Sequence, residues 1–353
     1  MKAGIVTFHE ADNFGAVLQA YALQQTLNAL GAESSFVSFS DKAKKQETYF
    51  PTKGPTALFA QRIVSEGKKR EELFRCFREK YMNCSMDYDL HDKASVNNDY
   101  DCFIAGSDQI WNFRIPGVDE RFFLTFAEDR KKYSYATSFG SEEFPEKGKP
   151  WCSEQLNSFQ KISVRESSGQ QIVKELTGRD AEVSLDPTLL LSKEDWLKIA
   201  SDPGEKPYYL LFMVKYDPGL HKKAKEKAEA DGVELRIVTA AFMPQCGFPA
   251  WSQVSVNDWV GLMAHSGGTF TNSFHGTAFS LLFERPVSVA GNEGELAKRN
   301  GRLEDLLKKA GLENAMSGLL VEPEPGRVTE NLKADREASI NYLKDVLADA
   351  ADS

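Results

Sequence analysis

The segment "GGTFTNSFHGTAFSLLF" (267–283) sets one of the chain's five histidines, His275, where a strand pattern gives way to a helix pattern. Phe270 and Thr271 would end the strand, and Asn272 and Ser273 would form the turn, either of them able to cap the helix. His275 then falls in the first helical turn. Gly276 and Ala278 are small enough to bring the helix close to the sheet, and the N–H groups around Gly276 and Thr277 face any ligand at that end. Unpaired N–H groups and the helix dipole make such a turn an anion site. The dipole alone opposes protonation of the imidazole, whereas a bound phosphate dianion favours it, so the chemistry indicated is proton donation to an anionic substrate. A histidine that only hydrogen-bonds across its loop is the simpler alternative.

Other apolar runs end in the same way. "ISVRESSG" ends in Arg165, whose planar fork suits a carboxylate or phosphate, and Ser167 or Ser168 can cap the helix that follows. An ion pair of Arg165 with Glu166 is its plainer role. "AGSDQIWN" ends in Ser107, Asp108, Gln109 and Asn112, donors and acceptors matched to sugar hydroxyls. Trp111 either stacks on a sugar face or packs in the core. "FHEADNFGAVLQ" places Asn13 and Gly15 at a helix start able to hold a phosphate or carboxylate, with His9 structural or functional. Without G-x-G-x-x-G or a downstream acidic residue, it does not indicate a dinucleotide. Arg299 and Arg302, in "AKRNGRLEDLL", precede a helix and either close over an anion or form a solvated helix start. There is no G-x-S-x-G, H-E-x-x-H or Walker loop, and the histidines do not cluster at ligand spacing, so neither serine hydrolysis nor metal catalysis is expected.

The elements that must hold these residues alternate between short β-rich runs and helical segments, the signature of parallel α/β architecture. Strands are predicted over 3–8, 34–39 and from 101, 133, 161 and 181, with a helix from Ala16 to Leu30 between the first two. The charged run 66–81 reads as a solvated helix with Leu73, Phe74 and Phe77 inward. Residues 192–207 read as an interdomain connection, after which strands at 208–214, 233–239, 268–273 and 286–290 alternate with helices. At 353 residues a single core is outgrown. The division expected is a Rossmann-like domain over 1–195, completed by a terminal helix at 329–350, and a second Rossmann-like domain over 205–325, with the carboxyl ends of both parallel sheets facing a central cleft.

Composition narrows the partners. A net charge of −9 argues against a nucleic-acid-binding face, though a pocket for one small anion needs only two or three cations. Five scattered cysteines without C-x-x-C spacing read as free thiols of a reducing compartment. "MKAGIVTFHE" turns polar too soon for a signal peptide, and no run is apolar enough to span a membrane. A cytoplasmic protein without integral membrane contact is expected, with peripheral association left open.

Taken in order, "NFGAVLQAYAL", "DCFIAGSDQIWN", "YSYATSFGS", "ISVRESSG", "LDPTLLL", "TNSFHGTAFSLLFERPV" and "RNGRLEDLLKKAGL" resemble the polysaccharide pyruvyl transferase family along nearly the whole chain. The resemblance implies a GT-B-like fold and metal-independent transfer of a pyruvyl group from phosphoenolpyruvate, a co-substrate and not a cofactor, to sugar hydroxyls, forming a ketal. The acceptor would be a bacterial cell-surface or exopolysaccharide precursor, soluble or lipid-linked. His275, Asp108 and Arg165 would carry the chemistry, with Arg165, Asn272, Ser273, Gly276, Thr277, Arg299, Arg302, Asn13 and Gly15 around the donor and Ser107, Gln109, Trp111 and Asn112 around the acceptor. Where the family carries arginine two residues before the histidine, this chain has Ser273. Losing that charge-assisted contact would cost about 1.5–3 kcal/mol unless Arg299 or Arg302 substitutes. A nucleotide-sugar glycosyltransferase and a non-catalytic glycan- or anion-binding relative are the alternatives.

Overall fold

A computed structural model describes residues 1–39, 55–89, 92–114, 119–240, 253–291 and 300–352. Two parallel sheets organise them. The first contains β1 (Lys2–Val6), β2 (Glu33–Phe39), β3 (Cys84–Tyr88), β4 (Cys102–Asp108), β5 (Lys132–Thr137), β6 (Ser163–Val164) and β7 (Glu182–Val183), in the order β3-β2-β1-β4-β5-β6-β7. The second contains β8 (Tyr208–Met213), β9 (Glu234–Thr239), β10 (Thr269–Thr271) and β11 (Val287–Val289), in the order β11-β10-β8-β9. Every pairing between these strands is parallel. Strand order therefore reverses once in each sheet, between β1 and β4 and between β8 and β10. Crevices open at such points, outside the carboxyl ends of the strands.

The central strands are near-continuous apolar runs because helices cover both faces; β4 and β5 are buried along almost their whole length. Helix α1 (Phe14–Ala29) is capped by Asn13, whose Oδ1 accepts from the Ala16 N–H at 3.2 Å. It is buried nearly all round, not along one stripe as its apolar spacing predicts. Two of its glutamines donate hydrogen bonds inside: Gln19 to Thr7 Oγ1 and Gln24 to the Ser34 carbonyl. The reason is its position at the seam, where Phe14 stacks on Trp259 and meets Phe212 of the second sheet.

Helix α2 (Pro55–Tyr81) contains the charged run, and Phe74 and Phe77 face inward. Arg70 breaks the expected solvated face. It is 2% exposed, donates to the Asp12 and Ala240 carbonyls and lies over the rings of Phe14 and Phe74. Between β3 and β7 run α3 (Lys93–Asp99), α4 (Lys149–Asn157) and α5 (Ser167–Thr177). The 192–207 stretch is no free linker: α6 (Lys193–Leu197) buries Trp196 completely against Tyr21 and Phe279.

In the second half, α7 (Pro218–Asp231), α8 (Val256–His265), α9 (Phe274–Leu282) and α10 (Gly301–Ala310) surround the smaller sheet. The terminal helix α11 (Arg327–Asp352) returns to the first sheet. Asp349 accepts from Tyr133 Oη at 2.7 Å, Tyr342 Oη donates to the Ser134 carbonyl at 2.9 Å, and Ser339 Oγ accepts from the Leu185 N–H at 2.9 Å. Cys76, Cys84, Cys102 and Cys152 are free thiols, and Cys246 lies outside the described residues. Among the described residues no helix is long and apolar enough to cross a membrane.

Candidate active site

Both order reversals open into one cleft of about 430 Å³. The turns after β1 and β4 contribute Phe8, Ala11, Asn13, Asp108 and Gln109; those after β8 and β10 contribute Val214, Asn272, Ser273, Phe274 and His275; Arg302 comes from α10. The starts of α1 and α9 border the same space; the Ala16 and Gly276 N–H groups there are taken by the Asn13 and Ser273 caps, and those of the first two residues of each helix have no intrahelical acceptor.

Ser273 caps α9: its Oγ accepts from the Gly276 N–H at 3.3 Å and its carbonyl from Thr277 Oγ1 at 3.0 Å. The position that resemblance would fill with arginine is thus a buried helix cap. Asn272 stitches the two turns of the second sheet, accepting from the Val214 N–H and donating to the Lys215 carbonyl. Gly276 and Thr277 are buried inside α9, against the expectation of donor contacts. A Cβ at Gly276 would stand 2.4 Å from Thr271 Oγ1, so this glycine sets how closely the helix meets β10.

Beneath the cleft lies an ionic cluster whose centre sequence reasoning missed, Asp186. Its carboxylate is fully buried. Oδ1 accepts from the Thr188 N–H (3.0 Å) and hydroxyl (2.7 Å). Oδ2 accepts from Arg165 Nη1 (2.8 Å) and Ser107 Oγ (3.2 Å) and lies 3.6 Å from His275 Nε2. Burial alone would raise its pKa, but His275, Arg165 and the Thr188 N–H together hold it far below the ordinary carboxylate range. The signal was in "AEVSLDPTLLL", an apolar strand ending in aspartate.

Arg165, expected to grip the anion directly, turns inward instead. Its side chain is 1% exposed, pairs with Asp186, lies 3.7 Å from Asp108 and 3.8 Å from Glu166, and stacks over Phe274 at 4.5 Å. Burial works against its charge, and the three carboxylates more than restore it, raising its pKa. Arg302 is the guanidinium that reaches the cleft, 5.8 Å from the Phe274 ring on the same aromatic platform. With the Gln109 amide oxygen turned towards it, Arg302 donates to Gln109 at 2.9 Å. Burial, then repulsion from Arg165, pushes its pKa down to about 10, still cationic at neutral pH. Arg299 lies outside the described residues.

Two guanidinium groups thus face three carboxylates (Asp108, Glu166, Asp186), so the cluster carries no excess positive charge while His275 is neutral. Asp108 reaches the cleft with a left-handed backbone, φ 67°, a conformation aspartate tolerates and that concentrates at functional sites.

The acceptor-side expectations divide. Gln109 and Asp108 line the cleft. Ser107 is fully buried on Asp186, and Trp111 is fully buried with Nε1 donating to the Phe122 carbonyl, so neither presents a face to a sugar. Asn112 is 7% exposed and sits behind Gln109 at 2.7 Å. His9 is structural, stacked on Phe36 with its nitrogens against the Thr7 carbonyl and Ser38 Oγ. Neither Ser167 nor Ser168 caps α5; Asp305 of α10 does so from the other half, accepting from the Ser167 N–H and hydroxyl.

Gly15 makes room for the imidazole: a Cβ there would stand 2.0 Å from His275 Nδ1. Gly15→Ala is expected to displace His275, cost about 1–3 kcal/mol of stability as overpacking does and remove turnover. Denaturant midpoint and product formation measured on the same preparation check both effects.

The fold has solved relatives. A Listeria monocytogenes protein assigned as a UDP-N-acetylglucosamine 2-epimerase superposes with a TM-score of 0.50 at 12% identity, over 98% of this chain and 90% of that one. The Neisseria meningitidis UDP-GlcNAc 2-epimerase bound to UDP-GlcNAc gives 0.46 at 11% identity, over 95% and 99%. At these identities the first likeness establishes the two-sheet GT-B fold and nothing about substrate. No curated protein matches the chain in sequence. The sequence pattern of one family, polysaccharide pyruvyl transferase, matches residues 13–294. That span holds the β8–β10 reversal, the β4 side of the other and every member of the ionic cluster except Arg302, and the chain belongs to the polysaccharide pyruvyl transferase family.

Proposed function

We propose that this protein transfers the pyruvyl group of phosphoenolpyruvate to hydroxyls of a glycan, closing a ketal and releasing phosphate. The observation that carries the reading is the convergence on one cleft of a mobile-proton carrier, His275, a cleft-facing cation, Arg302, two helix N-termini and the Asp108 carboxylate. Phosphoenolpyruvate carries a carboxylate and a phosphate, which Arg302 and the first-turn N–H groups of α1 and α9 would share. Arg302 thereby supplies the charge that Ser273 lacks.

His275, protonated, donates to the methylene carbon, which becomes methyl and leaves C2 electrophilic. A sugar hydroxyl attacks C2, and Asp108 takes its proton. Loss of phosphate and attack of a second hydroxyl complete the ketal, the last proton leaving with phosphate. A positioned acid of this kind contributes about 10²–10⁴-fold. The acceptor we place in the cytoplasm, as a precursor of a cell-surface or exported polysaccharide.

Incubation with phosphoenolpyruvate and a panel of glycans, read by mass spectrometry, tests the reading. Products that gain a pyruvate ketal with equimolar phosphate release are expected. Gain of a hexose from added nucleotide-sugars, or calorimetry without phosphoenolpyruvate binding, overturns it.

A further inference from the structure

The two nitrogens of His275 meet different surroundings. Nε2 is buried, with no hydrogen bond among the described residues, and Asp186 Oδ2 lies 3.6 Å away. Nδ1 lies over Gly15, at the first turn of α1, and His275 is among the residues that line the cleft. A neutral imidazole carries one proton. Placed on Nδ1, it would turn the Nε2 lone pair towards a carboxylate oxygen and point an N–H at the positive end of α1. Placed on Nε2, it faces the carboxylate and leaves an unprotonated Nδ1 at the positive end of α1. Both biases have the same sign.

Asp186 is built to impose this choice. Thr188 fixes Oδ1 through two hydrogen bonds, and Arg165 and Ser107 fix Oδ2. The carboxylate cannot rotate away without breaking four contacts. Arg165, Asp108 and Glu166 neighbour it on the first-sheet side, with Arg302 approaching from α10. The Phe274 ring meets the imidazole edge-on at 5.3 Å.

We propose that Asp186 is a positioning residue that holds the His275 proton on Nε2, so that Nδ1 is the nitrogen that exchanges a proton with the ligand in the cleft. The separation of 3.6 Å exceeds a formed hydrogen bond, and such contacts commonly tighten when substrate binds. Asp186 follows β7 of the first sheet and His275 follows β10 of the second, so drawing the two sides together shortens this contact. The inference rests on the reading of His275 as the proton donor, but its principal test needs no substrate.

Long-range proton–nitrogen correlation spectra of the full chain, labelled at histidine nitrogen, report the tautomer of each ring. The His275 signal is the one lost in His275→Gln. The expected result is the Nε2–H tautomer for neutral His275 in the wild type, and loss of that preference in Asp186→Asn. An Nδ1–H tautomer in the wild type overturns the inference, as does an unchanged tautomer in Asp186→Asn. Should that variant fail to fold, the wild-type tautomer decides alone. Kinetics add a second readout: Asp186→Asn is expected to lower kcat by about 100-fold or more with donor KM little changed, as wrong-tautomer variants do. If phosphoenolpyruvate is not the donor, wild-type turnover is absent while the tautomer result stands, which separates the two failures.

Discussion

Replacing His275 with glutamine is expected to lower kcat for pyruvyl transfer by about 10²–10⁴-fold, with the fold intact and donor KM changed only a few-fold. Glutamine is of similar length and keeps hydrogen-bonding capacity, but it cannot shuttle a proton. Helix α9 does not depend on the imidazole, since its start is fixed by the Ser273 cap and its approach to β10 by Gly276. The donor's two anionic groups would still meet Arg302 and the helix N-termini, which is why binding should survive. Initial rates of phosphate release over a range of phosphoenolpyruvate concentrations separate the two constants, and a thermal melt confirms the fold. A variant whose KM rises while kcat holds would make His275 a ligand for the donor and move the proton source elsewhere.

The sequence reveals strand-end chemistry better than it reveals which side of a strand end a residue occupies. His275, Asp108 and Gln109 were legible because an apolar run meets polar residues at a turn, and in a parallel sheet that turn is at the ligand-binding edge. The same turn offers Ser107 and Trp111 to an acceptor, yet Ser107 turns to Asp186 and Trp111 packs in the core. β4 is buried on both faces, so it offers no alternation from which to tell inward from outward. The left-handed backbone at Asp108, which redirects the turn, has no glycine to announce it.

Asp186 and Arg165 show the other limit. Their types and strand-end positions were visible, but their pairing joins residues 21 apart, and Ser107 reaches Asp186 across 79. Nothing local records such a contact. The same holds for Arg70, one cation in a run of charges, whose burial follows from where α2 crosses the Asp12 and Ala240 carbonyls. The reversal of strand order, by contrast, follows from β1 and β8, each the first strand of its sheet, lying between two strands that both come later in the chain. Alternating elements predict the parallel sheets, while the order within them awaited the structure.

Asp186→Ala is expected to destabilise the protein by about 3–5 kcal/mol at neutral pH, the cost of removing one partner from a buried ion pair. The loss arises chiefly from what remains: Arg165, 1% exposed, would keep Asp108 and Glu166 only at 3.7 and 3.8 Å, while Ser107 and Thr188 would lose their acceptor. A double replacement, Asp186→Leu with Arg165→Met, removes both charges and is expected to recover much of that stability, because well-packed apolar pairs often match or exceed buried ionic ones. Acid should act in the same direction. The folded-state pKa of Asp186 is depressed below its unfolded value of about 3.9, so its contribution is fully present above that pH and declines as pH falls towards the folded pKa. The wild type should therefore lose more stability than Asp186→Ala on acidification below about pH 4. Urea midpoints for the three proteins at neutral and acidic pH measure all of this. A single variant within about 1 kcal/mol of wild type would mean that Arg165 finds solvent or another carboxylate when Asp186 is gone, and that the cluster does not hold the two halves of the cleft in register.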